Sequence, residues 1–519
     1  MLLRCLCLVL VVSCVHSYKI MLMFPFPIKS LSILSEGFVK HLTDAGHEVM
    51  YITWFPAKRD YGKNFRQIDV SKVAENMGDE MDTSLLNITA VMTGGMPVND
   101  RGSLQEFAYL FAQASLHYED VRNLLQDTNE KFDVIIADIY ETEVFAGLSV
   151  LYDCPMIWSY SMAAHWQVLR LVDERTNPAY TSDYLSANMA PLNFRQRLEE
   201  LWFQIEGLWL KSYNLLPKEE KLYEEVFTPL LAKRGRTLPD YEDIVFNASL
   251  LFINEHHTYG TVPSIPLNVK PIGGYHIDSP AKPLPQDLQS LMDKSTDGVI
   301  YFSMGSTWQS RFIPKEVTEG LLKTFSEFKQ TVIWKYEADL LNLPKNVHIV
   351  KWAPQPSILA HPNCHIFISH GGQMSSTEAL HFGVAIIGVP IFFDQFVNIN
   401  KAVAKGYAIK VPLTFNLPED LRDAIKTMVN DPRYRLRAKE LSLVYHDRPV
   451  APGKELVHWV EHVIRTGGAL HLRSPSLYAN WYQKTYLDFI VIILIVHCLI
   501  VYVIKMVLRK PKTKKEKKH

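Results

Sequence analysis

Between His365 and Gly372 the chain commits itself to a parallel sheet. His365 to Ser369 is a short apolar run that reads as a buried strand, and it stops at His370-Gly371-Gly372. Residues from about Ser375 to Phe382 then read as a helix. A helix start leaves backbone N–H groups unpaired and carries a partial positive charge, which suits a phosphate. Glycines let the backbone approach such a group closely, and His370 adds a donor at the same place. Glu378, on the first turn or two of that helix, is placed to accept a pair of hydroxyls. A second strand, roughly Ala385 to Phe393 and broken at Pro390, delivers Asp394 and Gln395 at its end, short polar groups suited to a sugar. Trp352 and Gln355 stand just upstream.

The rest of the chain repeats strand and helix at the spacing of right-handed βαβ units. Strand Lys19 to Phe24, helix Ser32 to Ala45 and strand Glu48 to Thr53 form the first, with Gly46 as a C-cap. Helix Leu104 to Leu125, strand Val134 to Ala137, helix Val144 to Leu151 and strand Met156 to Tyr160 follow. Arg195 to Lys233 reads helical, with aromatic residues spread along it. Strand Leu250 to Asn254 and the Pro/Gly-rich passage Val262 to Pro285 end the first half. The second half opens at strand Val299 to Ser303 and continues with helix Pro314 to Phe328 and strands Thr331 to Lys335 and Val347 to Lys351. Helices Glu419 to Asn430, Pro432 to Tyr445 and Gly453 to Arg465 come after the motif. A chain of 519 residues is expected to hold two globular domains.

The two ends carry membrane signals. Arg4 precedes an apolar run to Val12, with Val15 and Ser17 at small-residue cleavage positions, so residues 1–17 read as a signal peptide and the mature chain as starting near Tyr18. Leu487 to Ile504 is almost wholly apolar, about 27 Å long as a helix. Lys505, Arg509 and Lys510 follow it at once, and residues 505–519 are strongly basic. That flank predicts a single-pass type I topology with the globular part lumenal. Lys515 and Lys517 stand where a dilysine retrieval signal would, which predicts the endoplasmic reticulum membrane. Of six cysteines only Cys154 and Cys364 lie in the globular part, so no disulfide framework is expected. Sequons at Asn87 and Asn247 are candidate glycosylation sites. A formal net charge of −1 argues against nucleic acid as a partner.

Trp352-Ala-Pro-Gln355, Ser369-His370-Gly371-Gly372 through Glu378 and Asp394-Gln395 together resemble the signature of the UDP-glycosyltransferases, the membrane-bound glucuronosyl and glucosyl transferases of animals. The resemblance extends to Phe302-Ser303-Met304-Gly305-Ser306, Pro271-Ile272-Gly273-Gly274, Arg448-Pro449 and the block Glu461 to Arg473. Phe24-Pro25-Phe26-Pro27 and Gly273-Gly274-Tyr275-His276-Ile277 look most like the insect branch. It implies an α/β chain of the GT-B class, two Rossmann-like domains facing across a cleft, plus a C-terminal transmembrane helix. The boundaries are then 18–270 for an acceptor domain, 271–292 for a linker, 293–475 for a UDP-sugar domain with a return helix, and 487–504 for the span. The family's donor site maps onto Ser303, Gly305, Ser306, Trp352, Gln355, His370, Gly371, Gly372, Ser375, Ser376, Glu378, Asp394 and Gln395. Trp352 would stack on uracil, and Gln355 and Glu378 would hold the ribose. Met374 replaces an Asn found in many members. No Asp-x-Asp motif is present, so the resemblance implies metal-independent transfer with no cofactor beyond the UDP-sugar co-substrate, UDP-glucose being favoured by the insect likeness.

The acceptor side departs from the family. Its general base is a His just after the first strand, held by an Asp of the first domain. Asp138 matches the Asp; Leu31 stands where the His belongs. His165 is a candidate substitute, and a buried Asp138 acting alone is another. An amine hardly needs a base before attack, so the change predicts altered scope among small lipophilic acceptors. The alternative is a catalytically weak member that binds nucleotide sugar or lipophile and partners an active paralogue. A homo- or hetero-oligomer fits either reading.

Overall fold

The computed structural model describes residues 17–74, 88–94, 100–172, 177–259, 265–306 and 309–509. Residues 1–16 of the expected signal segment, the sequon residue Asn87 and the tail lysines Lys515 and Lys517 lie outside them. Residues up to Arg473 form one compact unit and those from Ser474 a second.

The first unit is built on two parallel sheets. Strands β1 (Lys19–Phe24), β2 (Glu48–Thr53), β3 (Phe65–Asp69), β4 (Val134–Asp138), β5 (Met156–Tyr160), β6 (Leu250–Ile253) and β7 (Val269–Pro271) form the first. Their order is β3-β2-β1-β4-β5-β6-β7. Strands β8 (Val299–Ser303), β9 (Thr331–Lys335), β10 (Val347–Val350), β11 (Cys364–Ser369), β12 (Ala385–Gly388) and β13 (Ala408–Lys410) form the second, in the order β10-β9-β8-β11-β12-β13. Central strands carry unbroken apolar runs because helices cover both faces: Ile20, Met21, Leu22 and Met23 of β1 are all fully buried. The strand order turns at β1/β4 and at β8/β11. Ligands bind at such switch points, outside the carboxyl ends of the strands.

Several elements differ from the sequence reading. The edge strands β3, β7 and β13 were not foreseen, and β7 lies inside the Pro/Gly-rich passage Val262 to Pro285. The strand expected to run to Phe393 ends at Gly388. The expected helix Leu104 to Leu125 is two helices, Arg101–His117 and Glu119–Gln126, because Tyr118 between them is extended. The long helical stretch from Phe194 has a π turn, Lys211–Leu215, ahead of Pro217. There Lys211 is drawn inward to the buried carboxylates of Glu219 (2.5 Å) and Glu143, and Pro217 supplies no N–H to continue an α pattern.

The helix Pro452–Arg465 returns to the first sheet. Its Leu456, Val460 and Val463 share an apolar cluster with Ile20, Leu22, Phe38 and Ile136. Gly453 lies flat on the ring of His41, where a side chain would collide. The second unit contains helix Leu487–Leu508, whose 22 residues make it one turn longer than expected and take in Lys505. It is long and apolar enough to cross a membrane.

Candidate functional site

Strands β8 and β11 are adjacent and in register, Ser303 opposite Ser369. Each ends in a serine whose hydroxyl turns back to catch the backbone. Ser303 Oγ accepts from Gly305 N (3.3 Å), and Ser369 Oγ accepts from Gly371 N (3.1 Å). The two turns sandwich His370. A Cβ on Gly305 would lie 2.6 Å from its Cε1, and one on Gly372 would lie 2.7 Å from its Nε2. Gly305 also has φ +89°, which L side chains avoid. The glycines therefore make room for an imidazole as well as for a ligand, and Gly371 makes room for Ile399. Burial, and then the charge of Lys335, push the His370 pKa down to about 4. At neutral pH the ring is uncharged and offers a single N–H; its Nδ1 is buried without a partner.

Lys335 was missed from sequence, although it is the polar last residue of an apolar strand beside β8. It is buried, donates to Gly305 O (2.9 Å), pairs with Glu337 (2.6 Å) and lies 5.6 Å from the centre of the Trp352 ring. Trp352 itself is exposed, with an aromatic face free to stack.

The helix that follows starts at Gln373, two residues earlier than expected, and Glu378 is buried on its second turn. Gln355 opens a short helix, Gln355–Ala360, and its Nε2 donates to Glu378 (2.8 Å) and Ser375 Oγ (3.1 Å). The other oxygen of Glu378 meets His276 Nε2 at 3.3 Å. His276 comes from the Pro/Gly-rich passage and was not foreseen. Asp394 does not stand open to solvent. It accepts from Gln373 N (3.1 Å) at the helix start and from Asn398 (2.7 Å), while Asn398 also donates to Gly371 O (3.1 Å). Burial raises its pKa to about 6, against the lowering effect of those bonds. Gln395 is turned inward as well: its Oε1 accepts from Ile391 N (2.8 Å) and Phe392 N (3.2 Å), bracing the turn after β12. Ser376 Oγ donates to Gly371 O (3.3 Å), and Ser306 is half-buried on the β8 turn. Met374 packs on the apolar cluster of the first sheet rather than offering a polar group.

Across the cleft, Asp138 ends β4. It is buried, its Oδ2 has no hydrogen-bond partner, and burial lifts its pKa to about 8. Tyr140, two residues further on, has its hydroxyl pKa raised by burial and then by the nearby carboxylates, Glu141 first. The Tyr140 ring lies tilted against Phe26 (5.3 Å between centres) and edge-on to Phe107 (6.4 Å), an aromatic wall. Leu31 is the third residue of helix Lys29–Asp44, buried in the cluster that holds Phe26.

His165 is held at both nitrogens. Its Nε2 meets the Tyr160 hydroxyl at 2.7 Å, its Nδ1 accepts from Gln167 N (3.4 Å), and burial drives its pKa to about 3. That geometry makes it a helix cap, against its place as a substitute base. Asn247 is exposed, with Oδ1 accepting from Arg473 (2.6 Å). Cys154 and Cys364 are unpaired.

Residues 21–518 match the family described as "UDP-glucoronosyl and UDP-glucosyl transferase". UDP-glucosyltransferase 2 of Dactylopius coccus is 32% identical over 93% of this chain and 91% of its own. UDP-glucuronosyltransferase 2B10 of Homo sapiens is 31% identical over 69% of this chain and 66% of its own. The calicheamicin glycosyltransferase CalG4 superposes with a TM-score of 0.55 at 16% identity, over 87% of this chain and 99% of that one. The expected GT-B fold is the one observed.

Proposed function

Because the chain belongs to the UDP-glucuronosyl and UDP-glucosyl transferase family and is a UDP-glycosyltransferase, we propose that it transfers glucose from UDP-glucose to small lipophilic acceptors, with amines favoured over phenols. The observation that carries this reading is the contrast between the donor residues gathered at the ends of β8 and β11 and a buried Asp138 whose Oδ2 has no partner, with Leu31 at the position where the family's His belongs. Residues 18–270 form the acceptor domain and 293–475 the donor domain, joined by 271–292 and by the return helix.

In the donor half, uracil stacks on Trp352 and the ribose hydroxyls take the Glu378 carboxylate, displacing Gln355 or His276. The diphosphate lies over the Gly305 and Gly371-Gly372 turns, where His370 N–H, the backbone and the start of the helix Gln373–Phe382 stabilise the charge that builds on departure. This work needs no metal. Asp394, with Gln395 fixing its turn, orients the sugar. The acceptor heteroatom attacks the anomeric carbon, the bond to the diphosphate oxygen breaks, and UDP leaves with the electron pair. A phenol must give its proton to Asp138 during attack; an amine attacks through its lone pair and loses its proton afterwards. Glucose is supported by the glucosyltransferase name of the Dactylopius coccus relative and the insect-like segments.

The chain is anchored by Leu487–Leu508 in the endoplasmic reticulum membrane with the globular unit lumenal, and Asn87 and Asn247 carry glycans. The deciding experiment uses full-length protein with labelled UDP-glucose and UDP-glucuronate, each against one amine and one phenol. Glucosylation of the amine well above that of the phenol is expected. Equal use of both acceptors removes the role given to Leu31. UDP binding with no product from any acceptor moves the reading to a catalytically weak, partner-dependent protein.

A further inference from the structure

Asp138 is followed by a turn that the protein holds in an unfavourable shape. Three residues on, Glu141 has φ +59°, a left-handed conformation that Gly takes freely, Asn and Asp sometimes, and Glu rarely. Strain of this kind persists only where the surroundings over-determine it, and it gathers at functional sites. The donor half has a counterpart: Phe393, with φ +55°, stands directly before Asp394. There Gln395 braces the turn through Ile391 N and Phe392 N. At Glu141 the brace is the strained residue's own side chain. It is buried, and both its oxygens are held: Oε1 accepts from the Tyr184 hydroxyl (2.6 Å) and Oε2 from Gln167 Nε2 (2.6 Å). Gln167 cannot turn its amide round, because its own Oε1 accepts from Arg101 Nη1 (2.6 Å), and Arg101 is fixed by Asp183 (2.8 Å). The next two residues are tied as firmly. Thr142 Oγ1 and Glu143 N both donate to Glu219 Oε1, at 2.6 Å and 3.0 Å. A buried hydrogen-bonded network of this sort rigidifies what it holds. What it holds here is the stretch that carries Asp138 and the half-buried ring of Tyr140, which lies against Phe26 and Phe107.

We propose that Glu141 is a positioning residue for the acceptor: its carboxylate, gripped by Tyr184 and Gln167, holds the left-handed turn that sets the Tyr140 ring and the Asp138 carboxyl against the incoming molecule. Glu141 takes no part in the chemistry, since both its oxygens are already occupied. Its reach is through geometry alone, and a small misplacement of reacting groups is costly in rate. The consequence for turnover rests on the transferase reading above. The consequence for acceptor binding needs only that the wall of Tyr140, Phe26 and Phe107 lines the acceptor pocket.

The test uses the full-length protein and three readings: the Kd of 1-naphthol, a fluorescent phenol, the Kd of UDP by calorimetry, and turnover of 1-naphthol with UDP-glucose. Glu141→Ala removes both bonds of the clamp. Its 1-naphthol Kd should rise at least about fivefold and turnover fall at least about tenfold, with UDP affinity unchanged. Glu141→Gly suits the left-handed shape but lacks the clamp, and should fare no better than Ala. Glu141→Gln should stay within about twofold of wild type, because its amide can accept from Gln167 and donate to the Tyr184 hydroxyl, which turns to accept. Gln167→Glu sets two carboxylates face to face and should behave like Glu141→Ala. Adding Glu141→Gln to it supplies the new carboxylate with a donor again, and should restore binding. A Glu141→Gly chain that binds as wild type does would put the effect in the backbone and overturn the proposal. So would a Glu141→Gln chain that fails alongside Ala, which would give the carboxylate's charge a role of its own. UDP affinity lost in step, or a wild type that does not bind 1-naphthol, overturns it as well. The expected Kd pattern with no product from any chain supports the positioning role and counts against the transferase reading alone.

Discussion

The two sides of the cleft treat their carboxylates in opposite ways. Glu378 and Asp394 of the donor half are buried but tied down, the first between Gln355 and His276, the second between Gln373 N and Asn398. Asp138 of the acceptor half is equally buried, and one of its oxygens has nothing to bond. Buried polar atoms are nearly always paired, and the exceptions cluster where a ligand or a reaction completes the set. The carboxylates Glu378 and Asp394 are thus held in place by the protein itself, whereas Asp138 keeps an oxygen for whatever enters beside it.

The largest expected effect tests that contrast directly. Asp138→Asn should lower turnover of a phenol by about 10²–10⁴, the usual worth of a general base, with UDP affinity unchanged. A loss shared equally by phenol and amine would mean that Asp138 organises the pocket rather than taking a proton. The pH profile sharpens this. The base form exists above a pKa of about 8, so phenol turnover should climb up to that pH and level off, and the climb should vanish in the variant.

On the donor side, His370→Ala should weaken UDP by about 1.5–3 kcal/mol, measured by calorimetry. Its pKa near 4 makes the ring neutral throughout the pH 5.5–8 range of ~physiological work. Its contribution should therefore be flat across that interval. An affinity that fell with rising pH would show the donor to be a charged imidazolium. Leu31→His should raise phenol turnover by at least about tenfold, and Asp138→Asn in the same chain should abolish the gain. No gain, or harm, would leave Leu31 as a packing residue and turn the search to another base.

The smallest effect concerns stability. The folded carboxyl of Asp138 holds its proton up to a pH of about 8, while the unfolded one releases it near 3.8. Between those values the folded state binds the extra proton, so the stability from this group is complete below the lower value and is lost as pH rises to the upper one. Asp138→Asn should thus gain on wild type from pH 5 to pH 8.5, by at least about 2 °C in melting temperature. A constant difference across that range would show that the carboxyl titrates normally.

Much of this architecture was legible because a parallel sheet writes itself as apolar runs. Strands β1, β2, β5, β8 and β9 fall on the residues the runs marked. The edge strands were not legible. β3 has no buried residue, and β7 and β13 are three residues each, so neither burial nor length left a signature. In the site, residues carried on a motif were found, but partners arriving from distant segments were not. His276 reaches Glu378 over 102 positions, and no local spacing encodes that bond. The inward turn of Gln395 was hidden for a related reason: the break after Gly388 placed backbone N–H groups within its reach.

The return helix has a consequence for how the protein is made. Leu456 packs in one cluster with Ile20, 436 positions earlier. At about 5–20 residues per second, the apolar patch around β1 waits roughly 20–90 s for its cover to be synthesised. During that time the growing chain carries a sticky surface that only a chaperone can shield. A message truncated before Pro452 would leave that surface bare for good, whatever the state of the donor site.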